Sequence, residues 1–235
     1  MAITLDATTV ITEANASAVT TASYTVAAGD ACALLVACNG VSGTDHTITI
    51  TGSHSYTQRF TLSDGSGQPG VAYGATSHNS AGVTATTTVT RNTFPGNDTG
   101  ISTCITRASG VETSFTGATG TSNSASGSPT VTITATTTGS YVFGTASDWA
   151  ATGAFTAGTG ETLDNTHTVA GGYNGGQWHS TSTVTAGSYT SDGAGSSTRQ
   201  YNCGALELVP AAGAATTSLP PIYVPSRATR AMLRR

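Results

Sequence analysis

The sequence predicts an all-β protein: a single antiparallel β-sandwich of about a dozen short strands, followed by an extended C-terminal arm. Three observations carry this. Thr, β-branched and suited to a pleated, half-exposed surface, is about a fifth of the chain. Short aliphatic/polar alternations recur at spacings of roughly 8–15 residues, with Gly, Asn, Asp and Pro between them. No stretch of residues 1–210 shows the apolar period of an amphipathic helix.

Taken in order, residues 3–12 and 21–26 read as the first strands. The run Asp30-Ala31-Cys32-Ala33-Leu34-Leu35-Val36-Ala37-Cys38-Asn39-Gly40 is the most apolar in the chain. In an extended strand Cys32, Leu34, Val36 and Cys38 share one face, and Ala31, Ala33, Leu35 and Ala37 the other. Both faces are apolar, so this is a central strand covered on both sides. The small Ala face predicts close approach of a neighbouring layer. Thr47-Ile48-Thr49-Ile50-Thr51 alternates cleanly, and residues 55–62 alternate again. Residues 64–70 read as a loop, 71–74 and 83–90 as strands, 91–100 as a loop around Phe94-Pro95-Gly96, and 101–108 as a strand. Residues 117–129 read as a long Gly/Ser/Thr/Asn loop. Thr130-Val131-Thr132-Ile133-Thr134 alternates, and 141–144 is a second strongly apolar strand. The stretch 149–174 is Gly- and Thr-rich, anchored by Phe155, Leu163 and Val169. A strand with Trp178 covers 177–184, a turn covers 192–197, and 199–209 is the last strand, stopped by Pro210.

Charged residues are 9% of the chain, against about 25% in an average soluble domain. Lys is absent, and all eight basic residues are Arg. All 12 acidic residues lie at or before Glu207, together with four of the Arg; the other four Arg fall in the last nine residues. A mildly acidic body with a basic tail points to an arm with its own partner. The first residues carry neither a basic n-region nor an apolar h-region, so no secretory signal is expected. No apolar run approaches about 18 residues, so no membrane span is expected, and no membrane partner. Cys32, Cys38, Cys104 and Cys203 sit in strand-like runs without C-x-x-C spacing, which predicts free buried thiols rather than a metal or redox site.

The boundary between body and arm falls at 210/211, giving a sandwich over 1–210 and an arm over 211–235. Within Leu219-Pro220-Pro221-Ile222-Tyr223-Val224-Pro225 each Pro restricts itself and the residue before it, so the segment is extended. Leu219, Pro221, Ile222, Tyr223 and Val224 form an apolar strip, which favours a docking arm that orders in a groove over the alternative of a disordered tail. Ser226 reads as an N-cap, and residues 227–235 as two helical turns presenting Arg227, Arg230 and Arg234, with Arg235 at the end. These Arg suit the carboxylates of a protein partner or the phosphates of nucleic acid. Four Arg without interleaved aromatics are a weak nucleic-acid signal, so a protein partner is preferred.

No catalytic constellation stands out. The five His are scattered, no G-x-S-x-G elbow occurs, and the close carboxylate or mixed pairs are Glu161 with Asp164 and Asp45 beside His46. No enzyme activity, metal or cofactor is expected. Trp149, Tyr173 and Trp178, with Asn and Gln beside them, are the candidate sugar-stacking residues; the plainer reading places them in the core or at its rim.

A set of short motifs then carries a resemblance. It runs from Ser23-Tyr24-Thr25-Val26-Ala27-Ala28-Gly29-Asp30 and Ala33-Leu34-Leu35-Val36-Ala37 through a Val-Ala-Tyr strand, Thr-Val-Thr at 88–90 and Ser109-Gly110-Val111. It continues with the Thr-rich strand 130–136, Gly139-Ser140-Tyr141-Val142-Phe143-Gly144, Ala157-Gly158-Thr159-Gly160 and Ala205-Leu206-Glu207-Leu208-Val209-Pro210. Over about residues 1–210 the chain resembles jelly-roll-like β-sandwich domains encoded in structural gene clusters of tailed bacteriophages, notably those infecting actinobacteria. The resemblance implies a non-enzymatic virion protein, synthesised in the host bacterial cytoplasm. Its role would be accessory capsid decoration or minor capsid protein, anchored by the C-terminal arm on the major capsid protein or another virion protein. A homo-oligomer in a symmetric assembly is the expected state. The alternative is a minor tail or tail-fibre protein whose carbohydrate-binding role is adhesion to a host surface glycan.

Overall fold

The computed structural model describes residues 1–6, 9–38, 47–64, 68–91, 100–124, 127–148, 154–169, 173–193 and 200–212. Among them are eighteen strands and no helix. The first eleven are β1 (Thr4–Leu5), β2 (Val10–Ala14), β3 (Ala18–Thr20), β4 (Tyr24–Val26), β5 (Asp30–Cys38), β6 (Ile48–Gly52), β7 (Thr57–Asp64), β8 (Gln68–Asn79), β9 (Val83–Ala85), β10 (Thr87–Arg91) and β11 (Ile101–Ser109). The remaining seven are β12 (Thr119–Ser124), β13 (Thr130–Ala135), β14 (Tyr141–Asp148), β15 (Glu161–Val169), β16 (Tyr173–Ser180), β17 (Gly187–Asp192) and β18 (Tyr201–Leu208).

The strands pair in nested fashion, always antiparallel. In β1–β11 the pairs are β2 with β11, β3 with β10, β4 with β9 and β5 with β8. In β12–β18 they are β12 with β18, β13 with β17 and β14 with β16. Such nesting is a long hairpin rolled over itself, the jelly-roll wrap. The two halves repeat one plan. The long sheet of the first runs β1-β11-β5-β8-β7, with β2 also on β11; that of the second runs β12-β18-β14-β16-β15. The first half's short sheets are β3-β10-β6 and β4-β9, and the second half's is β13-β17.

The sandwich predicted from sequence is therefore stacked four layers deep, because the two long sheets pack on each other. The apolar alternation explains the stacking. On β5, Cys32, Leu34, Val36 and Cys38 face Val19, Val26 and Val89 of the short sheets. Its other face, Ala31, Ala33 and Leu35, meets Phe143, Leu206 and Leu208 of the second half. β14 and β18 are two-faced in the same way: Val142, Ala146, Cys203 and Ala205 turn to Val131, Ile133 and Ala135 of β13. Both faces of β5 and β18 are buried, as a central strand requires. The close approach foreseen from the Ala face occurs, with Ala37 of β5 lying against the bare backbone of Gly175 on β16. The Phe60 ring fills the space between the bare backbones of Gly74 on β8 and Gly204 on β18, where a side chain on either glycine would overlap it.

Among the strands that the sequence does not mark are β12, β15 and β17. β12 falls within 117–129, β15 within 149–174, and β17 just before the turn at 192. Each borders its sheet and carries Thr, Ser, Asn or Gly on its outer face, so no apolar alternation marks it. β15 is further obscured by a bulge between Leu163 and Asn165.

The body closes on itself at one corner. The Met1 amino group donates to the Ala211 carbonyl at 2.7 Å, and Ala211 N–H to Gly110 O at 2.7 Å. Val111, the link between the halves, bridges Pro210.

Candidate functional site

The residues picked out from sequence divide into three groups. Leu219, Pro221, Ile222, Tyr223, Val224, Arg227, Arg230, Arg234, Arg235 and Trp149 lie outside the described residues. Tyr173 opens β16, paired with the end of β15 at Val169, and its side chain is outside the described part. Trp178 corrects the sugar-stacking reading. It is fully buried in the core between β13–β17 and the second long sheet, its indole N–H donating to Ser191 Oγ at 2.8 Å and its ring tilted against Phe155. No face of it is open to a glycan. On β16 its neighbours Gly176, Gln177 and His179 gave no apolar alternation from which the inward face could be read.

The carboxylate pair noted in the sequence separates in space. Asp164, at the bulge, turns to His179, with both its oxygens 2.9 Å from Nδ1. Glu161 turns the other way, to β17, where Tyr189 OH donates to Oε1 at 3.1 Å and Asp192 N–H at 3.3 Å. Burial pushes the Glu161 carboxyl up to about 7, against the opposing hydrogen bonds from Tyr189 and Asp192. The two acids therefore do not face each other across a cleft, as glycosidase chemistry requires. Asp45 and His46 lie outside the described residues.

Two other histidine pairs exist. His167 Nδ1 lies 3.1 Å from Glu13 Oε2, tying β15 to β2 across the halves. His54 Nε2 meets Ser77 Oγ under the first short sheets. Both of these side chains are buried, and burial lowers the His54 pKa, so the ring is neutral. The Cys32 thiol beside them is pushed up to about 11 by burial. Tyr24 OH continues the chain to Tyr56 OH at 3.0 Å and to Thr87 Oγ1. A base and a hydroxyl are present, but neither cleft described below opens on them. The network satisfies polar groups inside the core. Among the described residues no three His, Cys, Asp or Glu come together as metal ligands.

Two concavities remain. One, of about 220 Å³, is lined by Thr4, Asp6, Asp30 and Arg107, with Arg107 Nη2 2.7 Å from Asp6. The other, of about 320 Å³, lies beside β17 and is lined by Thr159, Ser180, Thr183, Val184, Thr185 and Tyr189. The sequence reading singled out neither. Tyr189 sits in Gly187-Ser188-Tyr189-Thr190-Ser191-Asp192, whose outward Ser and Thr give a weak alternation around one aromatic. Both hollows are open, of mixed polar and apolar lining, and neither sets a nucleophile against a base.

No family model, no curated protein and no solved structure matches this chain.

Proposed function

We propose that this protein is a non-enzymatic structural component of a phage virion, an accessory capsid protein displayed on the particle and held there by its C-terminal arm. One observation supports this above the others. The last described strand, β18, ends at Leu208, and Ala211 is held between Met1 and Gly110. The 23 residues after Ala212 carry half of the chain's basic residues. The body's exterior strands present Thr, Ser and Asn rather than charge, which suits a displayed surface without a strong field. The partner surface is then acidic, meeting Arg227, Arg230, Arg234 and Arg235.

Removing residues 213–235 tests this. The shortened protein remains folded and soluble but is absent from purified particles, whereas the full chain is present in many copies. Normal occupancy of the shortened protein would show that the arm is not the anchor. The adhesion reading loses one of its three aromatics, Trp178, to the core, and no other described residue favours it.

A further inference from the structure

The two jelly rolls differ at one place. In the first, β6 pairs along the outer side of β10, from Thr87↔Gly52 to Arg91↔Ile48. Among the described residues the second has no counterpart of β6, so β17 pairs only with β13. The outer side of β17 can be identified from its end. Asp192 sends its N–H to Glu161 Oε1 and receives Gly158 N–H on its carbonyl, both away from β13. Backbone groups alternate sides along an antiparallel strand, so the N–H and C=O of Thr190 and Ser188 point the same way. Among the described residues these four groups have no hydrogen-bond partner, and neither residue is buried. Tyr189, the residue between them, lines the cleft of about 320 Å³. An open two-residue slot of this kind is a template for strand addition.

We infer that residues 219–224 of the same chain fill this slot, adding a short parallel strand to the outer edge of β17. The path is short. Pro210 packs on Gly139, Gly139 N–H donates to Val184 O at 2.9 Å, and Val184 lines the cleft. Residues 213–218 can span about 20 Å when extended. Val184 lies just before the Gly187 end of β17 in the chain, so a segment entering from there runs in the same direction as β17. In a parallel ladder each bonding residue donates to one partner residue and accepts from the next but one. With Ile222 opposite Tyr189, Ile222 N–H donates to Ser188 O and Ile222 O accepts Thr190 N–H. Val224 N–H then donates to Thr190 O, and Pro220 O accepts Ser188 N–H. All four open groups are satisfied, and no N–H is asked of Pro220 or Pro221. Pro221 and Pro225 fall on the outward side, where a strand edge tolerates proline. The next group along, Asp192 N–H, is already engaged, so the ladder ends where the Pro-bounded segment ends.

This goes beyond the virion reading and stands or falls without it, because it needs no particle. It also leaves the basic residues 227–235 projecting from the slot toward a partner.

The test is amide hydrogen exchange on the full-length protein at micromolar concentration, comparing wild type with Ile222→Asp/Val224→Asp and with Val224→Pro. Neither variant alters the body. In wild type the Ser188 and Thr190 amides exchange at least about tenfold more slowly than in the double variant. Val224→Pro keeps the apolar character but removes one ladder donor, and gives an intermediate rate. Fast exchange of both amides in wild type, or protection unchanged in the double variant, overturns the inference. Protection that disappears on dilution, together with a dimer in sedimentation, also overturns it and assigns the slot to a second copy.

Discussion

Phe60 of β7 packs against the bare backbone of Gly204 of β18, one residue from each jelly roll. The ring is 6% exposed and belongs to the core shared with Phe143, Leu206 and Leu208. The halves are therefore bound by interdigitation rather than by a linker alone. Gly204→Ala forces a methyl into the ring and costs about 2 kcal/mol. Phe60→Ala leaves a cavity and costs about 3–4 kcal/mol. Urea unfolding at neutral pH measures both. A single transition that shifts as a whole is expected, whereas two separate transitions would mean that the halves fold independently.

Glu207 is a second tie, within the second half. It is 2% exposed, and its carboxylate accepts N–H from Ala118 at 2.8 Å and from Thr136 at 3.0 Å, plus the Thr136 hydroxyl at 3.0 Å. Burial alone would raise its pKa, but these donors together outweigh burial and hold it below the usual value. A carboxyl depressed in the fold stabilises above its unfolded pKa and loses that contribution as pH falls through its folded value. Glu207→Gln should cost about 2 kcal/mol at pH 7 and flatten the stability profile below pH ~4.5. Chemical denaturation from pH 3 to 7 checks it.

Glu161 works in the opposite sense. Its folded pKa is raised from 4.5 to about 7, chiefly by burial. The folded state therefore keeps a proton that the unfolded chain has lost. Stability falls as pH climbs from about 4.5 to 7 and levels off above. The loss is on the order of 3 kcal/mol for a shift of this size. Glu161→Gln should remove that slope and be the more stable protein at pH 8. A profile with the wild-type slope in the variant would assign the slope to another group.

All four thiols are free and buried. Burial pushes Cys38 up to about 12 and Cys104 well above its ordinary value. A thiol reagent at pH 8 should label none of them in the folded protein and all four in denaturant. Rapid labelling of any one in the native state would contradict its placement in the core.

The sequence made the inner strands readable, because burial on one or both faces leaves an apolar signature. Both faces of β5 were assigned correctly from alternation, and so were Val131 and Ile133 on β13. The border strands β12, β15 and β17 left no such mark, since Thr and Ser serve equally on a loop and on a solvated strand. Four layers instead of two could not be read either: an Ala face says that a neighbour is near, not whose sheet it belongs to. The duplication is hidden for the same reason, since β5 and β14 share a role but not a sequence. Trp178 takes the plainer of its two readings, the core, because a large aromatic among Gly and Gln residues suits a binding face as well as a core until its burial is known.

The most direct test of the proposed virion role is a reconstruction of the particle this chain is proposed to belong to. It should place the four-layer body outside the capsid at symmetry-related positions, with residues 226–235 against an acidic surface of a neighbouring virion protein. A particle that lacks this chain, or one that holds the body while those residues touch no neighbour, would contradict it.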